Sequence, residues 1–354
     1  MRDVFATRRE ALRRKLREND LDAYLVLHPA NRYYLSGFEL HDPQCNESAG
    51  CLLITVRGRD WLCTDGRFLE VARQCWPEET IFGYTGNRAG QLAEFFADKT
   101  RTIGFESRIM SHELFEGLSS ELELVPMRGL VEEMRTVKDE SEIEALRHSC
   151  RLNYEVLTRL ESQQIAGRSE TDIAWELEKA FREGGASELS FPPIVGSGAN
   201  SARPHHEPTA SPIADQAPLL LDMGGRLRDY CSDQSRTLWI GSDPDQTFET
   251  TLDLVRRAQK LAIDSIRPGT AVRDLYAKVT EFFREHGVAK YFPHALGHGI
   301  GLETHEPPGL GSSSRDNLEQ GMVITIEPGL YYPGWGGARW EHMVVVREDG
   351  AEIL

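Results

Sequence analysis

In PLLLDMGGRLRDYCSDQSRTLWIG, Asp222 closes one apolar run and Asp233 opens the next, 11 residues later. A two-residue turn at Leu227 and Arg228 would pair 226 with 229, and therefore 222 with 233, across the ladder. Like charges directly opposite one another destabilise a sheet. In that register a divalent cation between the carboxylates would relieve the repulsion, because hard cations take carboxylate oxygen. Leu-Arg is not a favoured hairpin turn, and two solvated acids on opposite faces fit the same spacing. Glu327 ends the alternating run GMVITIEPG, where a Pro-Gly turn would hold its carboxylate as rigidly as a metal ligand requires. Glu341 stands in ARWEHMVVV at the entry to another apolar run. Taken alone, either glutamate reads as a solvated acid.

Imidazoles gather in the same region: seven of the eleven histidines (205, 206, 286, 294, 298, 305 and 342) lie between residues 205 and 342. A single histidine on a strand or loop is more often a surface or satisfied core residue than a functional one, so the grouping carries the argument. His298 sits in GHGIG (297–301), whose glycines would let the backbone approach a ligand closely. The G-x-G-x-G spacing, with no strand-to-helix context, excludes a dinucleotide fingerprint. His305 follows in THEPP, and His205 lies in GSGANSARPHHEP. There is no P-loop, no G-x-S-x-G elbow and no H-E-x-x-H, since His112-Glu113 lacks a second histidine.

These residues need a scaffold. LDAYLVLH, GCLLITV and TIGFES read as short buried strands, with helical stretches near 68–75 and 111–122 between and after them. The start of the chain reads as an amphipathic helix with Val4, Phe5, Leu12 and Leu16 on one face, without the unbroken apolar segment of a secretion signal. This describes a small α/β domain over residues 1–130. A charged stretch from VEEM onward then begins a long helix and opens a second domain, residues 131–354. There, helices over 171–185 and 270–287, the latter capped by Thr270, interleave with strand-like runs. The expected fold class is α+β in two domains.

A length of 354 residues exceeds what one core usually supports, which also argues for two domains. With 40 basic and 56 acidic residues the formal charge is −16, which disfavours nucleic acid and anionic membrane surfaces as partners. No apolar run of about 20 residues is present. The six cysteines (45, 51, 63, 75, 150 and 231) form no C-x-x-C pair, so a reducing cytoplasm is the expected location.

The ordered set SFPPIVGSGANSARPHHEP, LLLDMGGRLRDYCSDQSRT, HALGHGIGLETHEPP, MVITIEPGLYYP and GGARWEHMVVV resembles the pita-bread metallopeptidases, in their Xaa-Pro aminopeptidase and prolidase branch. The resemblance covers essentially the whole chain: NRYYLSGF and the stretch to DGRFLEVA resemble the creatinase-type N-terminal domain, and the rest the pita-bread catalytic domain. It implies five metal ligands, Asp222, Asp233, His298, Glu327 and Glu341, around two divalent ions. Asp222 would hold one ion, His298 and Glu327 the other, and Asp233 and Glu341 both. One imidazole and four carboxylates suit Mn²⁺ first, with Co²⁺ or Zn²⁺ as alternatives.

The implied reaction is attack of a metal-bridging hydroxide on the Xaa-Pro peptide bond at the N-terminus of a peptide. Glu327 would pass the proton to the leaving amine, and His205 and His305 would donate hydrogen bonds to the developing oxyanion. His294, Arg339 and Tyr331 would line the substrate pocket. A homodimer is the implied assembly. Ser235, Asp229 and the WEH triplet (Trp340 to His342) depart from the family pattern, and Arg203 and His206 beside His205 bear on substrate preference, yet no ligand is lost. A prolidase restricted to dipeptides fits the same motifs. A metal-free creatinase-like hydrolase or a non-catalytic binding module fits less well, because such relatives tend to lose ligands that this chain keeps.

Overall fold

A computed structural model describes residues 4–44 and 47–354. Two compact units divide between Arg135 and Thr136, five residues beyond the division expected from the sequence.

In the first unit the apolar runs become strands, since β-branched and aromatic residues bury well on a pleated surface. These are β1 (Ala23–Val26), β2 (Cys51–Thr55), β3 (Trp61–Asp65), β4 (Ile81–Tyr84), β5 (Thr102–Glu106) and β6 (Glu123–Met127). They form one sheet in the order β4-β3-β2-β1-β5-β6, in which only β2 runs against the others. Helices α1 (Val4–Glu18), α2 (Pro29–Ser36), α3 (Leu69–Cys75), α4 (Arg88–Ala97) and α5 (His112–Ser119) accompany it, and α6 (Leu130–Thr136) ends at the division. In α1, Leu12 and Leu16 are buried while Val4 is exposed, so the apolar face is shorter than the sequence implied. Cys51, Cys63, Cys75, Cys150 and Cys231 carry free thiols, and Cys45 lies outside the described residues.

The second unit does not continue the helix begun at VEEM. A new helix, α7 (Glu140–Glu161), starts at Asp139, whose carboxylate accepts from the Ser141 and Glu142 amides while Glu142 accepts from the Asp139 N–H. That reciprocal cap sets the break. Next come α8 (Glu170–Glu183) and the strands β7 (Glu188–Leu189), β8 (Ile194–Ser197), β9 (Ala217–Met223), β10 (Gly225–Leu227), β11 (Tyr230–Cys231) and β12 (Gln234–Ile240). Helices α9 (Gln246–Asp264) and α10 (Val272–Glu285) follow, then β13 (His298–Gly299), β14 (Glu306–Gly309), β15 (Val323–Ile326), β16 (Gly329–Tyr332), β17 (Gly336–Arg339), β18 (His342–Arg347) and β19 (Gly350–Ile353).

The same plan appears twice. Val156 and Phe181, from α7 and α8, pack with Leu219 and Leu221 of the sheet β12-β9-β8. Val255 and Phe283, from α9 and α10, pack with Ile324 and Val344 of the sheet β14-β13-β15-β18-β19. Thr270 does not cap α10: the cap position is Ala271, and the Thr270 hydroxyl accepts instead from the Arg267 N–H at 3.2 Å. Among the described residues no helix is long and apolar enough to cross a membrane.

The hairpin that carries the two aspartates differs from the expected register. Residues 225–231 fold β10 against β11, with β7 on the other edge of β10, and turn at Arg228 and Asp229, both with positive φ (53° and 70°). Aspartate tolerates that conformation better than most residues, so the turn moves one place along the chain. β9 then pairs with β12 so that Asp222 lies opposite Ser235, not Asp233. Asp233 sits just before β12, a diagonal neighbour of Asp222, and the direct like-charge pair is avoided.

Candidate active site

A cavity of about 540 Å³ in the second unit is lined by His205, Asp222, Asp233, His294, His298, His305, Glu327 and Arg339. Glu341 stands behind it, with ligand atoms of Asp233, His298 and Glu341 all within 4.8 Å of one another. Tyr331 is buried at its edge, bonded to His294 and Arg339. All ten residues singled out from the sequence therefore meet in one place, although they span 137 positions of the chain, from 205 to 341.

Each is set by its element. Asp222 is the penultimate residue of β9; Glu327 follows β15, its N–H donating to the Leu296 carbonyl at 2.9 Å. Glu341 lies between β17 and β18, its N–H donating to the Ser235 carbonyl at 3.2 Å and its carboxylate accepting from the Ser235 hydroxyl at 2.9 Å. A Cβ on Gly299 of β13 would come 2.2 Å from the Pro307 carbonyl, and one on Gly297, just before the strand, 2.0 Å from that of Thr325. The glycines of GHGIG thus admit a neighbouring strand, not the ligand approach expected from the sequence. This close packing fixes His298.

The His298 ring has one orientation that satisfies it. Nδ1 lies 3.0 Å from the Gly299 carbonyl, which can only accept, so in the neutral ring the hydrogen is on Nδ1. Nε2 then turns its lone pair toward Asp233 Oδ2 at 3.5 Å and Glu327 Oε1 at 3.4 Å. Three acceptors facing one point call for a cation. Asp222 Oδ1 and Glu341 Oε1 are buried there without a hydrogen-bond partner. Burial, and then the Asp222 and Glu327 charges, push the Asp233 carboxyl well above its usual range, and burial with Asp233 does the same to Glu341. The donor set is oxygen and imidazole nitrogen, with an orphaned acceptor on each side. A hard divalent metal fits it.

Arg339 is the only guanidinium lining the cavity among the described residues, and each of its three nitrogens donates a hydrogen bond. It donates to Asp222 Oδ2 at 2.7 Å, the Ser235 hydroxyl at 2.7 Å, the Tyr331 hydroxyl at 2.8 Å and the Pro204 carbonyl at 3.1 Å. The Tyr331 hydroxyl donates to His294 Nε2 at 2.9 Å, and the His294 Nδ1–H donates to the Ala295 carbonyl at 2.7 Å. Burial pushes the Tyr331 hydroxyl up to about 12 and the His294 imidazole down, which keeps both neutral in this chain of donors.

Arg236 and Gln259 escaped the sequence reading, and both hold His342, which the sequence already marks as a departure from the family pattern. Arg236 donates to the Glu341 and Ser235 carbonyls and lies over the Trp340 ring at 4.5 Å. Gln259 of α9 donates to the Ile326 and Trp340 carbonyls, next to Glu327 and Glu341. His342 donates from Nδ1 to Gln259 at 3.0 Å and accepts from Arg236 at Nε2, 3.1 Å; burial and the two nearby arginines bring it down to about 4. No local pattern marks Arg236 or Gln259, because their partners lie far along the chain.

Beside His305, Lys138 and Glu306 form an ion pair at 3.2 Å with side chains 1% and 2% exposed. Deleting one member of such a buried pair costs about 3–5 kcal/mol. Lys138→Met should accordingly unfold at a markedly lower denaturant concentration with an unchanged m-value, read by circular dichroism. An unshifted midpoint would show the pair to be inconsequential.

The sequence matches metallopeptidase family M24 over residues 144–348 and the creatinase/prolidase N-terminal domain over residues 8–137. The Xaa-Pro dipeptidase of Pyrococcus furiosus is 30% identical over 349 residues, 98% of this chain and 97% of its own. A solved Xaa-Pro dipeptidase from Bacillus anthracis superposes with a TM-score of 0.92 at 32% identity, covering 99% of this chain and 97% of that one. An X-Pro aminopeptidase from Thermotoga maritima MSB8 gives 0.85 at 32% identity, over 96% and 97%. The fold is thus the expected two-domain α+β arrangement, creatinase-like followed by pita-bread. The chain is a metallopeptidase and belongs to family M24.

Proposed function

We propose that the protein removes the first residue from peptides beginning Xaa-Pro, as an Xaa-Pro aminopeptidase. One observation carries the chemistry: the His298 Nε2 lone pair converges with the Asp233 and Glu327 carboxylates in a cavity open to substrate. Asp222, Asp233, His298, Glu327 and Glu341 would hold two divalent ions, Mn²⁺ first, Co²⁺ or Zn²⁺ as alternatives. When bound, such ions acidify a water and polarise the scissile carbonyl.

The chain's own groups do the rest. Glu327 Oε would accept the proton of the attacking water and hand it to the departing proline nitrogen. His205 and His305 would donate hydrogen bonds to the carbonyl oxygen as it gains charge. Arg339 and Tyr331 act by holding Asp222 and His294 in place, and His294 shapes the pocket edge. Phe191, Pro192, Pro193 and Ile194 give the cavity an apolar wall suited to a pyrrolidine ring.

Chain length follows from charge. A dipeptide places its free carboxylate inside the cavity, where Arg339 is already engaged and Glu207 repels it. A longer peptide carries an amide there. A second reading, prolidase, is favoured by the Xaa-Pro dipeptidase names of two relatives. With Mn²⁺ present, Ala-Pro-Ala should be cleaved with a higher kcat/KM than Ala-Pro; exclusive cleavage of Ala-Pro would establish the prolidase instead. The assignment further implies a cytoplasmic homodimer, which sizing in solution checks.

A further inference from the structure

Glu170, the first residue of α8, is fully buried, whereas acids at that helix position ordinarily face water. Oε1 accepts from the Ser197 N–H and the Asn200 side-chain amide, each at 2.9 Å. Oε2 accepts from His206 Nε2 at 2.9 Å, the Thr209 N–H at 3.0 Å and the Thr209 hydroxyl at 2.7 Å. None of these five donors belongs to α8. The carboxylate therefore does not cap its own helix; it gathers the loop 197–209. Burial opposes its charge, but the bonds from His206, Ser197, Asn200 and Thr209 outweigh that and hold it down at about 2, so it stays ionised.

That loop carries His205, whose ring faces the cavity while its two neighbours are anchored. On one side the Pro204 carbonyl accepts from Arg339; on the other, His206 donates to Glu170. We infer that Glu170 is a positioning residue for catalysis: through His206 and Thr209 it fixes the backbone from which His205 reaches the substrate carbonyl. This rests on the role proposed above for His205.

Four forms of the full chain loaded with Mn²⁺ test it: wild type, Glu170→Gln, His205→Ala and the double variant, each assayed on Ala-Pro-Ala with metal content and thermal midpoint measured. Glutamine would set an amide group against donors and release part of the loop. A displaced catalytic group costs about 100-fold, so Glu170→Gln should lower kcat by about that factor, with KM and metal content little changed. With His205 absent the loop has nothing left to position, and Glu170→Gln should then cost nothing further. Thr209→Val, which removes one donor of the five, should give a smaller loss that likewise vanishes with His205→Ala, and it serves if Glu170→Gln folds poorly. Equal losses with and without His205, or wild-type kcat in Glu170→Gln, overturn the inference alone. Full activity in His205→Ala overturns the role of His205 itself and the inference with it.

Discussion

Replacing Asp233 with alanine should strip the protein of bound divalent metal and cut turnover by about 1,000-fold or more, the loss expected when metal-based charge stabilisation is removed. Asp233 is buried, 3.5 Å from His298 Nε2, with its ligand atom grouped with that of Glu341. Asp222 is paired with Arg339 and Glu327 already stands 3.4 Å from the same Nε2, so neither is free to take its place. Glu341→Ala should behave alike, since it shares the same group.

The substitution should act in the opposite direction on the metal-free fold. Asp233 and Glu341 both have carboxyls raised above their usual range, first by burial and then by neighbouring charge. A raised carboxyl destabilises the folded state once pH exceeds its unfolded value, and that penalty disappears as pH falls below it. In chelator at neutral pH, Asp233→Ala should therefore melt higher than the wild type, while in Mn²⁺ it should melt lower. Metal analysis and paired thermal scans check both signs. Full activity in Asp233→Ala would refute the ligand assignment.

His305→Ala should separate metal binding from catalysis. Its ring lies 4.3 Å from that of His298, in an edge-on contact, and it lines the cavity without belonging to the ligand group. Burial, and then the nearby His298, lower its pKa. A neutral ring that donates to the carbonyl oxygen earns its effect as charge develops, so its loss falls on kcat more than on KM. Removing one such donor costs about 100- to 1,000-fold. Metal content should match the wild type. A variant that loses metal, or keeps its kcat, would remove His305 from this role.

Asp222, Asp233, His298, Glu327 and Glu341 were legible as a set through the ordered motifs of the family resemblance; spacing alone left each acid open to a reading as a solvated side chain. Their register was not legible. The positive φ of Arg228 and Asp229 places the turn one residue later and gives Asp222 a serine as its cross-strand partner. The supporting groups were hidden for another reason: Gln259 reaches Trp340 across 81 positions and Arg236 reaches Glu341 across 105, and no periodicity encodes such pairs. GHGIG looked like a ligand-binding loop because glycine reports only that something comes close. Here the neighbour is the Pro307 backbone. The break between α6 and α7, by contrast, was written in Asp139 and Glu142, a capping pair three residues apart inside a run of charges.

Five side chains from separate strands and turns would together enclose divalent metal. Crystals grown with Mn²⁺ and measured on both sides of the manganese absorption edge test it most directly. Two anomalous peaks are expected in the cavity, one beside Asp222, one beside His298 and Glu327, with Asp233 and Glu341 next to both. Peaks only elsewhere on the molecule, in protein that is fully active, would contradict it.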